Sequence, residues 1–330
     1  MTEAEAQAVL AAEPAQFARR TLISLGLDSS PLTPAHGNSS NVWLTPTHAL
    51  RISSGRFVDA YAHERAVLEL LPPDVPHARP VAYGRAGTRE WMVQERVAGV
   101  PLARAWPHLS QSQRRAAVRQ IGQALRALHA TQTPAGFYNP WLDDALAPNG
   151  HPENAYHAPP AQAHLLLAAV QQLDGVDEGL LREVGAFIAE RLDAFADDHA
   201  VLTHGDVHWA NLMWHEQTLT AVLDFEGARL AAPDQELDTL LRFVRTPTVY
   251  SGQEGDTPIT PADLRAVPAW IAEVYPELLA HPRLGARLEV YEALWHLVQV
   301  FHFAPGSGVR DPWPHLRTLI DADNRWTRLG

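Results

Sequence analysis

Apolar residues recur at helical spacing in two long stretches of the chain. Val118, Ile121, Leu125 and Leu128 make one stripe, and Ser110 with Gln113 form a capping box ahead of it, so the spacing predicts a core-facing helix from Ser110. Leu181, Val184, Ile188, Leu192 and Phe195 make the other and predict a helix over 178–197. Shorter helical patterns lie at 5–27, ended by Gly26, at 59–71, stopped by Pro72 and Pro73, and at 160–173. Four more follow at 234–245, 261–280, 283–303 and 314–328, separated by Gly/Pro-rich loops.

Strand-like pieces separated by turn residues occupy 31–54, Pro80–Tyr83 and Glu90–Val97. The short apolar runs Leu212–Trp214 and Thr220–Leu223 read as a β-hairpin. Residues 131–160 are rich in Pro, Asn, Gly and aromatics and read as a long ordered loop, a length that is usually functional. The pattern therefore divides the chain into a small β-rich part, 1–97, with one helix inside it, and a larger, mainly helical part, 98–330. Ligand sites favour the cleft between two such parts.

The 330 residues carry 46% hydrophobic and 19% charged residues, within the range of a folding globular chain. A formal charge of −12 without clustered Lys and Arg argues against nucleic acid as a partner. The chain has no cysteine, which excludes disulfides, thiolate metal sites and thiol nucleophiles. No apolar run approaches the length of a membrane span, so we expect a soluble, cytoplasmic protein that does not associate with membranes.

Chemistry concentrates in "LTHGDVHWANLMW", residues 202–214. Asp206 and Asn211 lie on the loop entering the predicted hairpin and Asp224 where its second strand leaves, so three oxygen-bearing side chains meet at one end. Such hard oxygen donors suit Mg²⁺ shared with substrate phosphates. Asn211 and Asp224 are the expected ligands, and Asp206 is left to accept a hydroxyl proton. Zinc on His204, His208 and His215 is disfavoured by their spacing, and His204 is expected to brace the loop through the backbone.

"HGDVHWAN" followed by "AVLDFEGARLAAPDQELDTL" resembles the aminoglycoside phosphotransferase and choline kinase group, whose fold is similar to that of protein kinases. The resemblance implies an α+β, bilobal, protein-kinase-like fold and an ATP-dependent, Mg²⁺-requiring transfer to a small-molecule hydroxyl. It makes Asp206 the catalytic aspartate, Asn211 and Asp224 the metal ligands, and Glu226 an accessory acidic residue. "GNSSNVW" is similar to the family's nucleotide-covering turn, placing Asn38, Ser39 and Ser40 near phosphates. Arg51 matches the phosphate-contacting basic residue, Glu64 its helix partner, and the backbone of Glu95–Val97 the adenine-binding segment.

Trp209 and Ala210 replace the group's usual Pro-Gly, a departure that puts the loop's shape in question. "PDQELD" offers both Glu236 and Asp238 as the residue that ties down the catalytic loop, and Asp238 is expected to do so. A pseudokinase regulator is the alternative reading, but it requires degraded catalytic residues, and none is degraded. The acceptor stays open among aminoglycoside, choline, amino acid and sugar. A cationic one could be received by Glu226, Asp234, Glu236, Asp143 or Asp144, or boxed by Tyr138, Trp141, Tyr156, Trp270, Trp295 or Trp313.

Overall fold

The computed structural model describes residues 13–35, 40–55, 57, 59–196, 199–247 and 258–322. Helix α1 (Pro14–Ser24) precedes strands β1 (Thr33–Ala35), β2 (Ser40–Leu44) and β3 (His48–Ser53). Helix α2 (Ala60–Leu70) then leads to β4 (Pro80–Ala86) and β5 (Arg89–Glu95). The five strands form one antiparallel sheet in the order β1-β2-β3-β5-β4.

Alternation along β3 explains what each face carries, because successive side chains point to opposite sides. Leu50 and Ile52 join Val93 and Ala86 beneath Phe17, Ala18 and Leu22 of α1. Arg51, between them in sequence and paired in register with Met92, points to the face that α2 covers with Tyr61, Val67 and Leu68. Glu90 on β5 fixes that helix by accepting from the Tyr61 and Ala62 amides at 3.3 and 3.2 Å, which supplies an anion to otherwise unpaired N–H groups.

Beyond the sheet, β6 (Val100–Pro101), α3 (Leu102–Ala105) and α4 (Gln111–His129) follow, the last opened by the expected Ser110–Gln113 capping box. Then come the short α5 (Pro140–Asp143), α6 (Ala163–Val170), α7 (Glu178–Ala189) and β7 (Val201–Thr203). The expected hairpin is β8 (Leu212–His215) and β9 (Thr218–Val222), turned by Glu216 and Gln217, both at positive φ as a two-residue hairpin turn requires. β10 (Arg229–Ala231) pairs with β7, and β6 pairs with β8. The chain continues through α8 (Gln235–Arg245), α9 (Pro261–Leu264), α10 (Val267–Ala272), α11 (Leu284–Gln299) and α12 (Pro312–Asp321).

Helix α11 is the axis of the distal core. Its Val290, Leu294 and Leu297 pack with Leu166 of α6, Val184 and Ile188 of α7 and Leu316 of α12. Nearer the sheet, α4 lies so close to the turn that follows α10 that a Cβ on Gly122 would meet Val274 Cγ2 at 2.5 Å.

Several expected boundaries shift for identifiable reasons. The helix expected over 178–197 stops at Ala189, where Arg191 turns inward to Glu289 at 2.8 Å, and resumes only as a 3₁₀ turn at Leu192–Phe195. The stretch 261–280 is broken into α9, α10 and a 3₁₀ turn because Pro268 and Pro276 each lack an N–H and open new turns. The expected long loop 131–160 carries α5 and a 3₁₀ turn at Pro152–Asn154. Among the described residues no helix is long and apolar enough to cross a membrane.

Candidate active site

The loop between β7 and β8 is held by its own backbone and by three neighbouring elements. His204 is buried; its Nδ1 accepts from the Asp206 amide at 3.1 Å, and its Nε2 donates to the Leu223 carbonyl at 2.8 Å. Those two partners require the neutral Nε2–H tautomer, and burial lowers the pKa accordingly. His204 thus joins the loop to the segment carrying Asp224, as a brace through backbone.

Gly205 has φ +82°, and an added Cβ would stand 2.9 Å from the Gly227 carbonyl, so the turn into Asp206 favours glycine. Its N–H donates to Glu236 Oε1 at 2.7 Å, and the Thr239 hydroxyl lies 3.4 Å from its carbonyl. This corrects the expectation for Asp238. Buried Asp238 instead pairs with Arg242 at 2.9 Å on the same helix, and Glu236 ties down the loop. In the sequence both residues sit within one turn of α8, and only the direction each faces separates them. Burial pushes Glu236 up to about 7 and Asp238, despite Arg242, up to about 6.

Asp206 itself is half-exposed. Burial of its inner side works against its charge, but His208 outweighs that and holds it below the usual carboxylate range. His208 Nδ1 accepts from the Ala210 amide at 3.2 Å, which leaves its Nε2 to face Asp206 Oδ2 at 3.4 Å. Asn211 Nδ2 lies 3.0 Å from the Asp206 carbonyl and 3.3 Å from Oδ2. With the amide nitrogen so used, the Asn211 side-chain oxygen is the atom left for a cation. His204 and His208 are thus committed individually and His215 is exposed, so the three histidines do not form a zinc site.

Across the cleft, Arg51 joins the sheet to the hairpin. Nη1 contacts both Glu64 carboxylate oxygens at 2.5 and 2.7 Å, and Nη2 contacts Asp224 Oδ1 at 2.5 Å. Glu64 is 1% exposed, and burial raises its pKa against the pull of Arg51. Asp224 sits at φ +71°, a left-handed conformation that aspartate tolerates better than most residues. Glu64, Asp224 and Glu226 bring ligand oxygens within 4.8 Å of one another, and burial with the Asp224 charge pushes Glu226 well up. A hard, oxygen-only set carrying this much like charge fits a divalent cation such as Mg²⁺.

The departure at Trp209 resolves in the core. Its indole is fully buried, edge-on to Trp106 at 5.2 Å and stacked on Phe243 at 4.8 Å, so it anchors the loop from beneath. Asn38 and Ser39 lie outside the described residues, and Ser40 begins β2. Glu95 is exposed at the end of β5, its amide bonded to the Arg79 carbonyl at 2.9 Å, with Val97 two residues beyond.

Most acidic candidates for a cationic acceptor have other partners. Asp234 is clamped by Arg287 at 2.5 and 2.8 Å, Glu236 holds Gly205, and Asp143 pairs with Arg229 at 2.9 Å. Asp144 is exposed, and Glu226 lies beside Asp224 and Glu64. Trp270 belongs to the core nearer the sheet and Trp313 packs against the distal core around α11, while the Tyr156 hydroxyl meets His302 at 2.7 Å. Trp141 stacks on Phe57 at 4.3 Å and donates to the Glu226 carbonyl at 3.1 Å.

Two participants lie in the 131–160 loop and escaped the sequence reading. Buried Asn139 donates to the carbonyls of Glu226 and Ala228, both at 3.0 Å, fastening the loop on either side of Gly227. His157, at positive φ, accepts at its carbonyl from Arg229 Nη1 at 3.0 Å and from Gln235 Nε2 at 3.2 Å, the second on the helix that carries Glu236. Loop residues of this kind have no periodicity to betray them; Asn139 before Pro140 reads as a cap, and it is one.

A model of the phosphotransferase enzyme family APH matches residues 32–250. No curated protein sequence matches the chain. Among solved structures, a thermostable mutant of aminoglycoside phosphotransferase APH(4)-Ia, in a ternary complex with ADP and hygromycin B, is similar at 16% identity. That match covers 92% of this chain and 97% of the other, with a TM-score of 0.62. ADP-bound APH(2'')-Ib is similar at 14% identity over 91% and 95% of the two chains, TM-score 0.60. The gentamicin complex of APH(2'')-IIa is similar at 13% identity over 89% and 92%, TM-score 0.59. Likeness at these identities establishes the bilobal fold.

Proposed function

This chain belongs to the phosphotransferase enzyme family, and on that premise we propose that it transfers the γ-phosphoryl group of ATP to a hydroxyl of a small molecule. The observation that carries the reading is the convergence of Asp206, Asn211 and Asp224 at one end of the β8–β9 hairpin, opposite the Arg51–Glu64 pair.

In this reading residues 1–97 bind the nucleotide and 98–330 provide catalysis and acceptor binding. Arg51 neutralises phosphate charge, Asn38, Ser39 and Ser40 cover the phosphates, and the backbone from Glu95 to Val97 meets the adenine. Asn211 and Asp224 hold Mg²⁺, with Glu226 alongside. Bound there, the metal supplies charge neutralisation on the phosphates. Asp206 accepts a hydrogen bond from the acceptor hydroxyl and orients it. As the new O–P bond forms, the bond from phosphorus to the bridging oxygen breaks with its electron pair leaving on ADP, and the hydroxyl proton passes to Asp206. Its lowered pKa keeps it ionised and ready to accept at neutral pH.

Asp143, Asp234 and Glu236 are committed to Arg229, Arg287 and Gly205, and Asp206 is the carboxylate held ionised at the transfer site. The test is ADP release from MgATP against amino alcohols, aminoglycosides, macrolides, amino acids and sugars, with Asp206→Asn alongside. An acceptor-dependent rate that the variant lacks supports the reading. A variant as fast as the parent refutes it.

A further inference from the structure

Consecutive residues of α2 reach the turn that carries Asp224. Glu64 does so through Arg51, whose Nη2 contacts the Asp224 carboxylate. His63 does so directly: its buried ring donates from Nε2 to the Ala228 carbonyl at 2.7 Å and lies 5.5 Å from the ring of Phe137. Neighbours on a helix point about 100° apart, so one turn of α2 grips the 224–228 segment at both of its ends.

That segment is a compact unit. Asp224, at φ +71°, opens a 3₁₀ turn over Phe225–Gly227 that closes with the Ala228 amide on the Phe225 carbonyl at 3.1 Å, and the Phe225 side chain is fully buried. Two of its carbonyls are saturated. Ala228 accepts from His63 and from Asn139 Nδ2 at 3.0 Å, and Glu226 accepts from the same Nδ2 at 3.0 Å and from Trp141 Nε1 at 3.1 Å. A carbonyl has two lone pairs, so each pair here has its donor, and rotation of the turn breaks at least one of these bonds.

The two grips of α2 differ in how they respond to metal. Arg51 and a divalent cation compete for the Asp224 carboxylate, so the first grip loosens when a cation binds. The His63 bond is made to backbone four residues further on and lies outside that competition.

We infer that His63 is a positioning residue of the metal site: through the Ala228 carbonyl it keeps the Asp224 turn seated on α2 while the carboxylate changes partner from Arg51 to a divalent cation. The inference rests on the reading of Asp224 as a metal ligand.

His63→Phe keeps an aromatic ring beside Phe137 and removes the donor, while Asn139 still serves the Ala228 carbonyl. His63→Gln places an N–H at similar reach. Calorimetry of the full-length protein with ADP is run once with excess Mg²⁺ and once with EDTA, and the ratio of the two affinities is the readout. Asp224→Asn, which suits the left-handed backbone there, is run alongside.

The expected result for His63→Phe is an ADP affinity unchanged in EDTA and about three- to tenfold weaker with Mg²⁺, the worth of one net hydrogen bond. His63→Gln should restore the gain from Mg²⁺. An equal gain in His63→Phe and the parent, a loss of the same size in EDTA, or no rescue by His63→Gln overturns the inference. Should His63→Phe fail to fold, His63→Leu is measured in its stead; if only His63→Gln folds, the bond serves stability alone and the inference is overturned as well. A parent without any gain from Mg²⁺, or Asp224→Asn retaining the full gain, refutes Asp224 as a ligand, a failure distinct from parent-like behaviour of His63→Phe.

Discussion

Arg51 Nη2 stands 2.5 Å from Asp224 Oδ1, so the basic residue of the sheet touches the carboxylate proposed to hold the metal. A divalent cation and the guanidinium compete for one anion, while Nη1 stays anchored on Glu64. Arg51 keeps its charge because Glu64, Asp224 and Glu226 together outweigh its burial.

Arg51→Met should therefore act on both stability and binding. It strands Glu64, 1% exposed, without its counter-ion, and breaking a buried pair from one side costs about 3–5 kcal/mol. Urea denaturation reads that loss, and calorimetry with MgADP should show affinity at least about tenfold weaker, the worth of roughly one charge-assisted hydrogen bond. Arg51→Lys should recover part of each, because an ammonium keeps the charge but not the two-pronged reach.

Glu236 gives stability a pH dependence of definite sign. Its ordinary pKa of 4.5 is pushed up to about 7 in the fold, so between those values the unfolded chain releases a proton that the folded chain retains. Stability contributed by this group is therefore fully present below about pH 4.5 and is lost as pH rises to 7 and just beyond, by up to about 3 kcal/mol. Glu236→Gln keeps an acceptor for the Gly205 amide and should flatten this decline between pH 5 and 8 in urea melts. Carboxylates held low, Asp206 and Glu292, which sits near 2, act oppositely: their contribution is lost as pH falls below about 4.

Two glycines separate catalytic from structural damage. Gly205→Ala must place a Cβ 2.9 Å from the Gly227 carbonyl at φ +82°, and it should cut turnover at least about tenfold while costing about 1–2 kcal/mol. Gly122→Ala meets Val274 at 2.5 Å on the far side of α4. It should lower the melting temperature, overpacking of about 1–3 kcal/mol outweighing a helix-propensity gain of about 1, and leave kcat unchanged. Equal kcat losses in the two variants would contradict this division.

Asn139 tests the hold on the Glu226–Ala228 segment at constant shape. Asn139→Asp replaces two N–H donors by an oxygen facing two carbonyl oxygens, and a buried charge without donors costs about 2–4 kcal/mol. A destabilisation of that size, measured at pH 7 and reduced at pH 4 as the carboxyl takes up a proton, is the expected outcome.

How much of this was legible in the sequence follows the physics of each feature. The β8–β9 hairpin and the Ser110–Gln113 cap are local patterns and the Arg51–Glu64 pair was implied by the family resemblance, and the structure brings each together. The choice of Glu236 over Asp238 was not legible, because two acidic residues one turn apart differ only in what faces them. Trp209 looked like a change at the substrate and is a change in the core, since its consequence depends on Trp106 and Phe243, each separated from it by at least 34 positions. The left-handed turn at His157 depends on contacts with Arg229 and Gln235 that no spacing announces.

The seating of Trp209 ties the history of the loop to that of the interior. Three positions from Asp206, an indole is wedged against Trp106 and Phe243 where proteins of this group commonly carry Pro-Gly. Ordinary drift in core volume at 106 or 243 is then transmitted to the aspartate, so the three positions should change together or not at all. In a laboratory lineage selected for turnover, compensating pairs among them should accumulate ahead of single replacements.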